Sequence, residues 1–151
     1  MLDLSNPESL SEPQFQIGDT RFSVKKMPAM EAWAVLEKIR AQTGAAMDLS
    51  TPEGGIEHTF LRIIVSLRVD FVNSLRMELF RHVSYTNAST SLVPVAGNED
   101  NAFDGLEPIA VYEVLVRCLA VNFTGSFRAI SEAISKLPSP PSTASPPPAS
   151  A

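Results

Sequence analysis

The stretch that decides the fold is residues 56–81, IEHTFLRIIVSLRVDFVNSLRMELFR. It contains neither proline nor glycine, so nothing in it is expected to break a helix. At about 100° per residue its apolar side chains gather on one broad face. These side chains are Phe60, Leu61, Ile64, Val65, Leu67, Phe71, Val72, Leu75 and Leu79. An arc of this width predicts one central helix that other elements cover on more than one side. Phe71 lies in the middle of the arc, so we expect it to be buried.

Two elements are predicted ahead of this helix. Residues 14–24, QFQIGDTRFSV, alternate apolar and polar side chains on both sides of Gly18-Asp19, which is typical of a β-hairpin. Residues 28–43 follow as a first helix, with Pro28 in its first turn and Gly44 as its stop. We expect the buried side of this helix to consist of Met30, Trp33, Leu36 and Ile39.

Two more helices are predicted near the end of the chain. Residues 109–123 are apolar around almost the whole circumference, which predicts a helix buried in its own core or in an oligomer. Glu113 and Arg117 are four residues apart and can pair there. Thr124-Gly125-Ser126 interrupts the apolar run and can cap a fourth helix, residues 127–137, which Pro138 ends. Residues 86–104, ahead of the third helix, predict a long irregular loop.

These elements predict a mainly α fold. The domain covers residues 14–137 and has about four helices with a short N-terminal β-hairpin. Residues 1–13 are polar and rich in turn formers, so we expect a flexible N-terminus. Residues 138–151, PSPPSTASPPPASA, carry no apolar side chain beyond alanine and proline, and predict a disordered Pro/Ser/Ala tail.

The composition narrows the classes of function. The 151 residues carry 12 Lys and Arg against 17 Asp and Glu, and this net charge of −5 argues against a nucleic-acid partner. No signal peptide is visible, and the run 109–123 is shorter than the roughly 20 residues that cross a bilayer, so we expect no membrane association. The single cysteine, Cys118, lies in an apolar run and is expected to be a buried small side chain. A soluble protein of a reducing cytoplasm is the expectation.

No pattern in the chain predicts catalysis. His58 and His82 stand far apart, and neither has ligand partners at the spacing of a metal site. Phosphate-binding, dinucleotide-binding and serine-nucleophile motifs are absent from the sequence. We therefore expect no catalytic residue, no metal, no cofactor and no enzymatic activity. The arginines of residues 56–81 allow two interpretations, a solvated face with pairs inside the helix or a surface that docks an acidic or amphipathic partner helix.

The layout resembles a known family. A short hairpin leads into a proline-started helix, RFSVKKMPAMEAWAVLEKIRAQTG, and a long apolar helix follows. An acidic loop with Phe103-Asp104-Gly105 then precedes a second apolar helix, VYEVLVRCLAVNFTGSF, which contains Asn122-Phe123. Over residues 15–137 this is similar to the tail assembly chaperones of long-tailed bacteriophages, and in particular to the short, unshifted product of that gene.

The resemblance implies a role in virion assembly rather than catalysis. Such a chaperone binds the tape measure protein in the host cytoplasm, keeps it soluble, helps the tail tube to polymerise, and is absent from the mature virion. A longer form made by ribosomal frameshifting contacts the tail tube protein, and the shared domain tends to form a homo-oligomer. On this basis we expect the partner to bind at Phe60, Ile64, Arg68, Phe71, Arg76, Val111, Leu115 and Leu119.

Other interpretations of the sequence stay open. The main alternative is another phage morphogenesis factor, such as a structural tail protein or a head–tail joining protein. A secretion chaperone or bacterial adaptor is a further possibility. A small enzyme is the least supported, because the sequence offers neither a nucleophile with its base nor a set of metal ligands.

Overall fold

A computed structural model of the chain describes residues 7–43, 56–88 and 90–138. Within these ranges a 3-10 helix is followed by four strands and five α-helices. In chain order the elements are the 3-10 helix Pro7–Ser11, β1 Gln14–Ile17, β2 Thr20–Val24, α1 Ala29–Thr43, α2 Ile56–Ser66, α3 Val69–Phe80, β3 Val83–Asn87, β4 Thr90–Pro94, α4 Glu99–Ala102 and α5 Ile109–Ser135. The fold is thus mixed α/β. Our prediction of a mainly α domain with only a hairpin is wrong, although the helical character is confirmed.

The four strands form one antiparallel sheet in the order β1-β2-β3-β4. The predicted hairpin is confirmed as β1 and β2, with Gly18 at a positive φ of 58° in the turn. Phe15 pairs with Phe22, Phe22 with Tyr85, and Tyr85 with Val93, so one row of large side chains crosses the sheet. Because strand side chains alternate between faces, this row lies on the side that packs on the helices. The other face carries mainly polar residues of β1 to β3.

The central helix is not continuous, and this corrects the prediction for residues 56–81. It is divided into α2 and α3 at Leu67 and Arg68, where Arg68 has an extended backbone with φ −67° and ψ 148°. The hydroxyl of Ser66 donates a hydrogen bond of 2.9 Å to the carbonyl oxygen of Ile63, an interaction that competes with the backbone ladder of a helix. Neither proline nor glycine marks the break. Phe71, in α3, is only half-buried.

The predicted irregular loop, residues 86–104, is also wrong, because it contains the end of β3, all of β4 and the short helix α4. The backbone N–H of Val95 donates to the carbonyl of Val83 at 2.9 Å, which continues the pairing of β3 with β4 beyond Pro94. The amide of Asn101 then donates to the Tyr85 hydroxyl at 2.6 Å. Polar side chains that suggest a loop in the sequence therefore join α4 to the sheet.

The helix α5 lies at the centre of the core and contacts several other elements. It contacts the 3-10 helix, α2, α3 and β2, and every residue from Glu113 to Ala120 is buried. The pairing of Glu113 with Arg117, at 3.4 Å, is confirmed. All-round burial is confirmed for residues 113–120, whereas Ile109 and Tyr112 of the predicted run are exposed. The predicted interruption at Thr124-Gly125-Ser126 is wrong, because α5 runs through it to Ser135 and takes up the predicted fourth helix.

One helix in the described ranges is long and apolar enough to cross a membrane, judged by length and composition alone. This stretch, Ile109–Ile130, has 22 residues with a mean hydropathy of 1.3. Since 61% of it is buried inside the protein, it has the character of a core helix.

The domain begins earlier than the sequence suggests. Leu10, in the 3-10 helix Pro7–Ser11, is wholly buried, so its side chain belongs to the core. Residues 1–6 lie outside the described ranges, and so does the predicted tail from residue 139 onward.

Candidate interaction surface

Half of the residues predicted to bind a partner lie in the core. The four are Phe60, Ile64, Leu115 and Leu119, each almost completely buried. Phe60 stacks on Phe127 of α5 with ring centroids 5.5 Å apart, which shows how closely α2 packs on that helix. These side chains can stabilise the domain, but in this conformation they form no surface for a second protein.

The other four predicted residues do not form one common surface. Arg68 is exposed at the break between α2 and α3, and Phe71 is half-buried one turn later. Arg76 forms an ion pair with Glu99 of α4. Arg76 and Val111 are brought together in one pocket of about 330 Å³, so the structure joins two of the predicted residues there. Glu99 pairs with Arg76 and Asp100 also lines the pocket, so the charged lining is acidic rather than basic.

A different apolar surface lies on α1. Met30 and Trp33 are 74% and 56% exposed, so our prediction that they form the buried side of the first helix is wrong. The prediction is confirmed for Ile39, which is buried, and Leu36 is half-buried, while Val35, which was not predicted, also lies in the core. Met30 and Trp33 are three residues apart, so they are neighbours on the helix surface. We call the two residues the α1 face.

Three contacts fix α1 with this face outward. The backbone N–H of Met27 donates at 2.8 Å to the side-chain oxygen of Asn122 in α5, which holds the start of the helix on the core. Glu31 then contacts His82 with 2.7 Å between Oε1 and Nε2. Lys38 pairs with Glu78 of α3. The first contact joins the start of α1 to α5, and the other two join α1 to α3 and to the turn after it.

Basic side chains surround the beginning of α1. Lys25 and Lys26 directly precede it, and both are exposed. Arg81, also exposed, is brought near them because the backbone N–H of Lys25 donates at 2.8 Å to the carbonyl of His82. In the part of the chain that the structure describes, no acidic side chain forms an ion pair with any of the three. We call Lys25, Lys26 and Arg81 the basic rim.

Smaller exposed apolar groups occur elsewhere. Val65 and Val69 flank the break between α2 and α3, Met77 lies on the outer side of α3, and Leu92 lies on the edge strand β4. Near the break, Arg68 and Asp70 approach to 3.6 Å, so the charge of that arginine has an acidic neighbour. Ile109, Tyr112 and Ile130 of α5 are exposed as well, so Trp33 is one of two exposed large aromatic side chains among the described residues.

No three His, Cys, Asp or Glu side chains in the described ranges gather as a metal site requires. Cys118 is buried, as predicted, and burial raises the pKa of its thiol, so it stays protonated and unreactive at neutral pH.

The sequence pattern of α1 does not decide by itself which of its apolar residues face the core. The helix α1 has apolar residues on two nearly opposite sides, Met30 and Trp33 on one and Val35 and Ile39 on the other. Only the contacts to α3 and α5 decide which side of α1 faces the core.

No family model matches the chain, and no curated protein or solved structure matches it either.

Proposed function

We propose that this protein is a tail assembly chaperone of a long-tailed bacteriophage, which binds the tape measure protein and keeps it soluble until the tail tube encloses it. The resemblance over residues 15–137 supports the identity of the partner. The observation that carries a binding role is the α1 face, an exposed tryptophan and methionine on one helix. Tryptophan is enriched among the residues that dominate protein interfaces.

The physical task fits such a surface. A tape measure helix has apolar stripes that aggregate while they are exposed to water. A carrier must cover these stripes and later release them, so a few apolar anchors with a charged rim suit the task better than a large obligate interface. A helix lying against an apolar face is a common mode of recognition for such segments.

Several features complete the proposal. The protein acts in the host cytoplasm without cofactor or metal, assists tube polymerisation, and is not an enzyme. It forms a homo-oligomer, and a longer product of ribosomal frameshifting contacts the tail tube protein. Neither nucleic acid nor membrane is a partner. A slippery run of nucleotides near the codons for residues 136–148, opening into a second frame, is the expected sign of the longer product.

Co-expression tests the proposal. The tape measure protein of the same phage, expressed alone, should be insoluble, and it should be recovered in a complex on size exclusion when this chain is present. A control chain that does not fold, carrying Leu115→Asp in the buried centre of α5, should give no rescue. If the tape measure protein behaves the same with and without this chain, the chaperone function is excluded.

The main alternative, a structural tail or head–tail joining protein, predicts a different fate for the chain. A structural protein stays in the purified virion, whereas an assembly chaperone leaves it. Mass spectrometry of purified virions from the phage separates the two roles. Detection of the chain at the copy number of a structural component would favour the alternative.

A further inference from the structure

We infer that the pocket between α3, α4 and α5 binds an arginine side chain of an amphipathic helix of the tape measure protein. We call it the α4 pocket. It has a volume of about 330 Å³ and is lined by Arg76, Phe80, Glu99, Asp100, Phe103 and Val111. This inference deepens the proposed function and rests on it. It gives the partner segment a chemistry, namely an apolar stripe with a guanidinium beside it.

The floor of the α4 pocket is apolar and firmly supported. The rings of Phe80 and Phe103 have centroids 5.7 Å apart, and Phe103 lies 5.4 Å from Phe22 of the sheet. Phe80 is almost completely buried, whereas Phe103 and Val111 are half-buried and keep some apolar area open to water. The aliphatic stem of an arginine can cover such area while its charged head stays near the opening. A pocket of this size suits one long side chain.

The wall on the side of α4 is acidic. Glu99 and Asp100 both line the pocket, and both also line the neighbouring hollow over residues 97–101. Arg76 neutralises one of the two carboxylates by pairing with Glu99. In the part of the chain that the structure describes, no basic side chain forms an ion pair with Asp100. Two carboxylates and one guanidinium leave the lining with one negative charge, so a cation fits it.

Contacts with the sheet hold this wall in place. The amide of Asn101 donates to the Tyr85 hydroxyl at 2.6 Å, and the amide of Asn87 donates to the carbonyl of Asn101 at 3.2 Å. Ala102, the last residue of α4, is wholly buried. A wall that is fixed before the partner arrives loses little conformational freedom on binding.

The pair in the wall leaves room for a second guanidinium. It joins Nη1 of Arg76 to Oε2 of Glu99, and an ionised carboxylate can accept further hydrogen bonds at its other oxygen. Asp100, which is exposed, offers two more acceptor oxygens. A guanidinium has five N–H donors in a planar fork and stacks on aromatic rings, so it matches carboxylates above a phenylalanine floor better than an ammonium does.

The occupant has to come from another protein. The segments outside the described ranges, residues 1–6, 44–55, 89 and 139–151, contain neither lysine nor arginine, so they cannot supply the cation. A second copy is disfavoured because each chain has a net charge of −5. The α1 face is less specific, because the charged side chains on its side, Glu37 and Arg40, pair with each other at 2.8 Å.

The first experiment measures peptide binding by fluorescence anisotropy. The probe is a labelled synthetic amphipathic helical peptide with leucines at i, i+3, i+4 and i+7 and arginines beside them. Two matched peptides carry citrulline, the neutral counterpart of arginine, or glutamate at the same positions. We expect saturable binding of the arginine peptide, binding at least about tenfold weaker for the citrulline peptide, and none for the glutamate peptide. Equal binding of the arginine and citrulline peptides, or no binding of the arginine peptide, would overturn the inference.

Two pairs of variants test whether the α4 pocket is the binding site. Asp100→Lys should weaken binding of the arginine peptide by at least about tenfold. Its control, Glu132→Lys, makes the same change in charge at an exposed position near the other end of α5 and should have less than about a threefold effect. Val111→Lys places an ammonium at the pocket and should abolish binding, whereas Tyr112→Lys, at the exposed next position, should not. Equal loss in a variant and its control would reject the pocket.

Arg76 separates this inference from the expectation that the sequence raised. Arg76→Gln removes the one positive charge of the lining and should strengthen binding of the arginine peptide by about threefold or more. Weaker binding would mean that Arg76 itself holds the partner, and would contradict an arginine in the pocket. Circular dichroism verifies that each variant is folded.

Co-expression separates failure of this inference from failure of the proposed function. The native chain should keep the tape measure protein soluble, and the chain with Asp100→Lys should recover clearly less of it. Equal recovery would reject the pocket while the chaperone function stands, and no recovery with either chain would reject the chaperone function itself. Light scattering tests a second copy as occupant, because a native oligomer that Asp100→Lys but not Glu132→Lys dissociates would overturn the assignment.

Discussion

Asn122 joins the connection after β2 to the middle of α5. Its side-chain oxygen accepts the backbone N–H of Met27 at 2.8 Å, and its amide donates to the carbonyl of Cys118 at 2.8 Å. All three residues are buried. We predict that Asn122→Ala lowers the free energy of unfolding by about 1–3 kcal/mol, because it leaves a buried N–H without a partner. Urea denaturation measures the change. Asn73→Ala, exposed on α3, is the control and should stay within about 0.5 kcal/mol.

Phe60 is more deeply buried than Phe71, although the sequence pattern emphasises Phe71. Periodicity places Phe71 in the middle of the apolar arc, but it is half-buried, whereas Phe60 is almost completely buried against Phe127. We predict that Phe60→Ala costs about 3–5 kcal/mol, the range for emptying a buried aromatic site. Phe71→Ala should cost clearly less, since water already reaches part of its ring. The reverse ranking in denaturation would mean that the unbroken central helix is the better description.

At the scale of elements, a substitution at Gly125 tests whether α5 is one continuous helix. Gly125 lies within the helix, is exposed, and has no atom within 4 Å of the position where a Cβ would stand. We predict that Gly125→Ala stabilises the protein by about 0.5–1 kcal/mol, because alanine loses less conformational freedom in a helix. Gly105 is the matched control. It has equally open space but a φ of 73°, so Gly105→Ala should destabilise by about 1–2 kcal/mol. Thermal unfolding of both variants measures the difference in sign.

The elements that the sequence predicts well are those with local signals. The alternation around Gly18 predicts the β1–β2 hairpin, and the turn needs a residue that tolerates positive φ. The strand β3 pairs with β2 across more than 50 residues, and its five residues carry no local sign of that partner. The break at Leu67 has no glycine or proline; it coincides with the Ser66–Ile63 hydrogen bond and with the packing of both α2 and α3 on α5. Long-range pairing is information that periodicity does not contain.

The candidate surface was missed for a related reason. Apolar residues at helical spacing are usually core residues, and that rule places Met30 and Trp33 inside. The two apolar sides of α1 are about half a turn apart, and the contacts of Glu31 with His82 and of Lys38 with Glu78 orient the helix. The same rule placed Leu115 and Leu119 correctly on a helix buried on all sides, but burial then excludes them from a surface.

At the scale of the whole molecule, the beginning of the described chain and α5 stabilise each other. The Arg117 guanidinium donates to the carbonyl of Ser9 at 3.0 Å and lies 4.4 Å from the centre of the Phe15 ring. It also contacts Glu113 one turn away on α5. A buried ion pair of this kind gains little net energy unless further hydrogen bonds accompany it. Its effect is to hold the 3-10 helix, β1 and α5 in one arrangement.

Leu10 provides the apolar half of the same junction and the last prediction. It is wholly buried in the 3-10 helix, which packs against α5 and α2. We predict that Leu10→Ala lowers the free energy of unfolding by about 2–5 kcal/mol, because it leaves a cavity between three elements. Leu137→Ala, the same substitution at an exposed position just after α5, should stay within about 0.5 kcal/mol. Guanidinium denaturation compares the two. Deletion of residues 1–13 should lower the melting temperature sharply, whereas deletion of residues 139–151, whose composition offers no side chains for a core, should leave it nearly unchanged. Equal effects of the two leucine variants would show that the N-terminal segment is not part of the folded domain in solution.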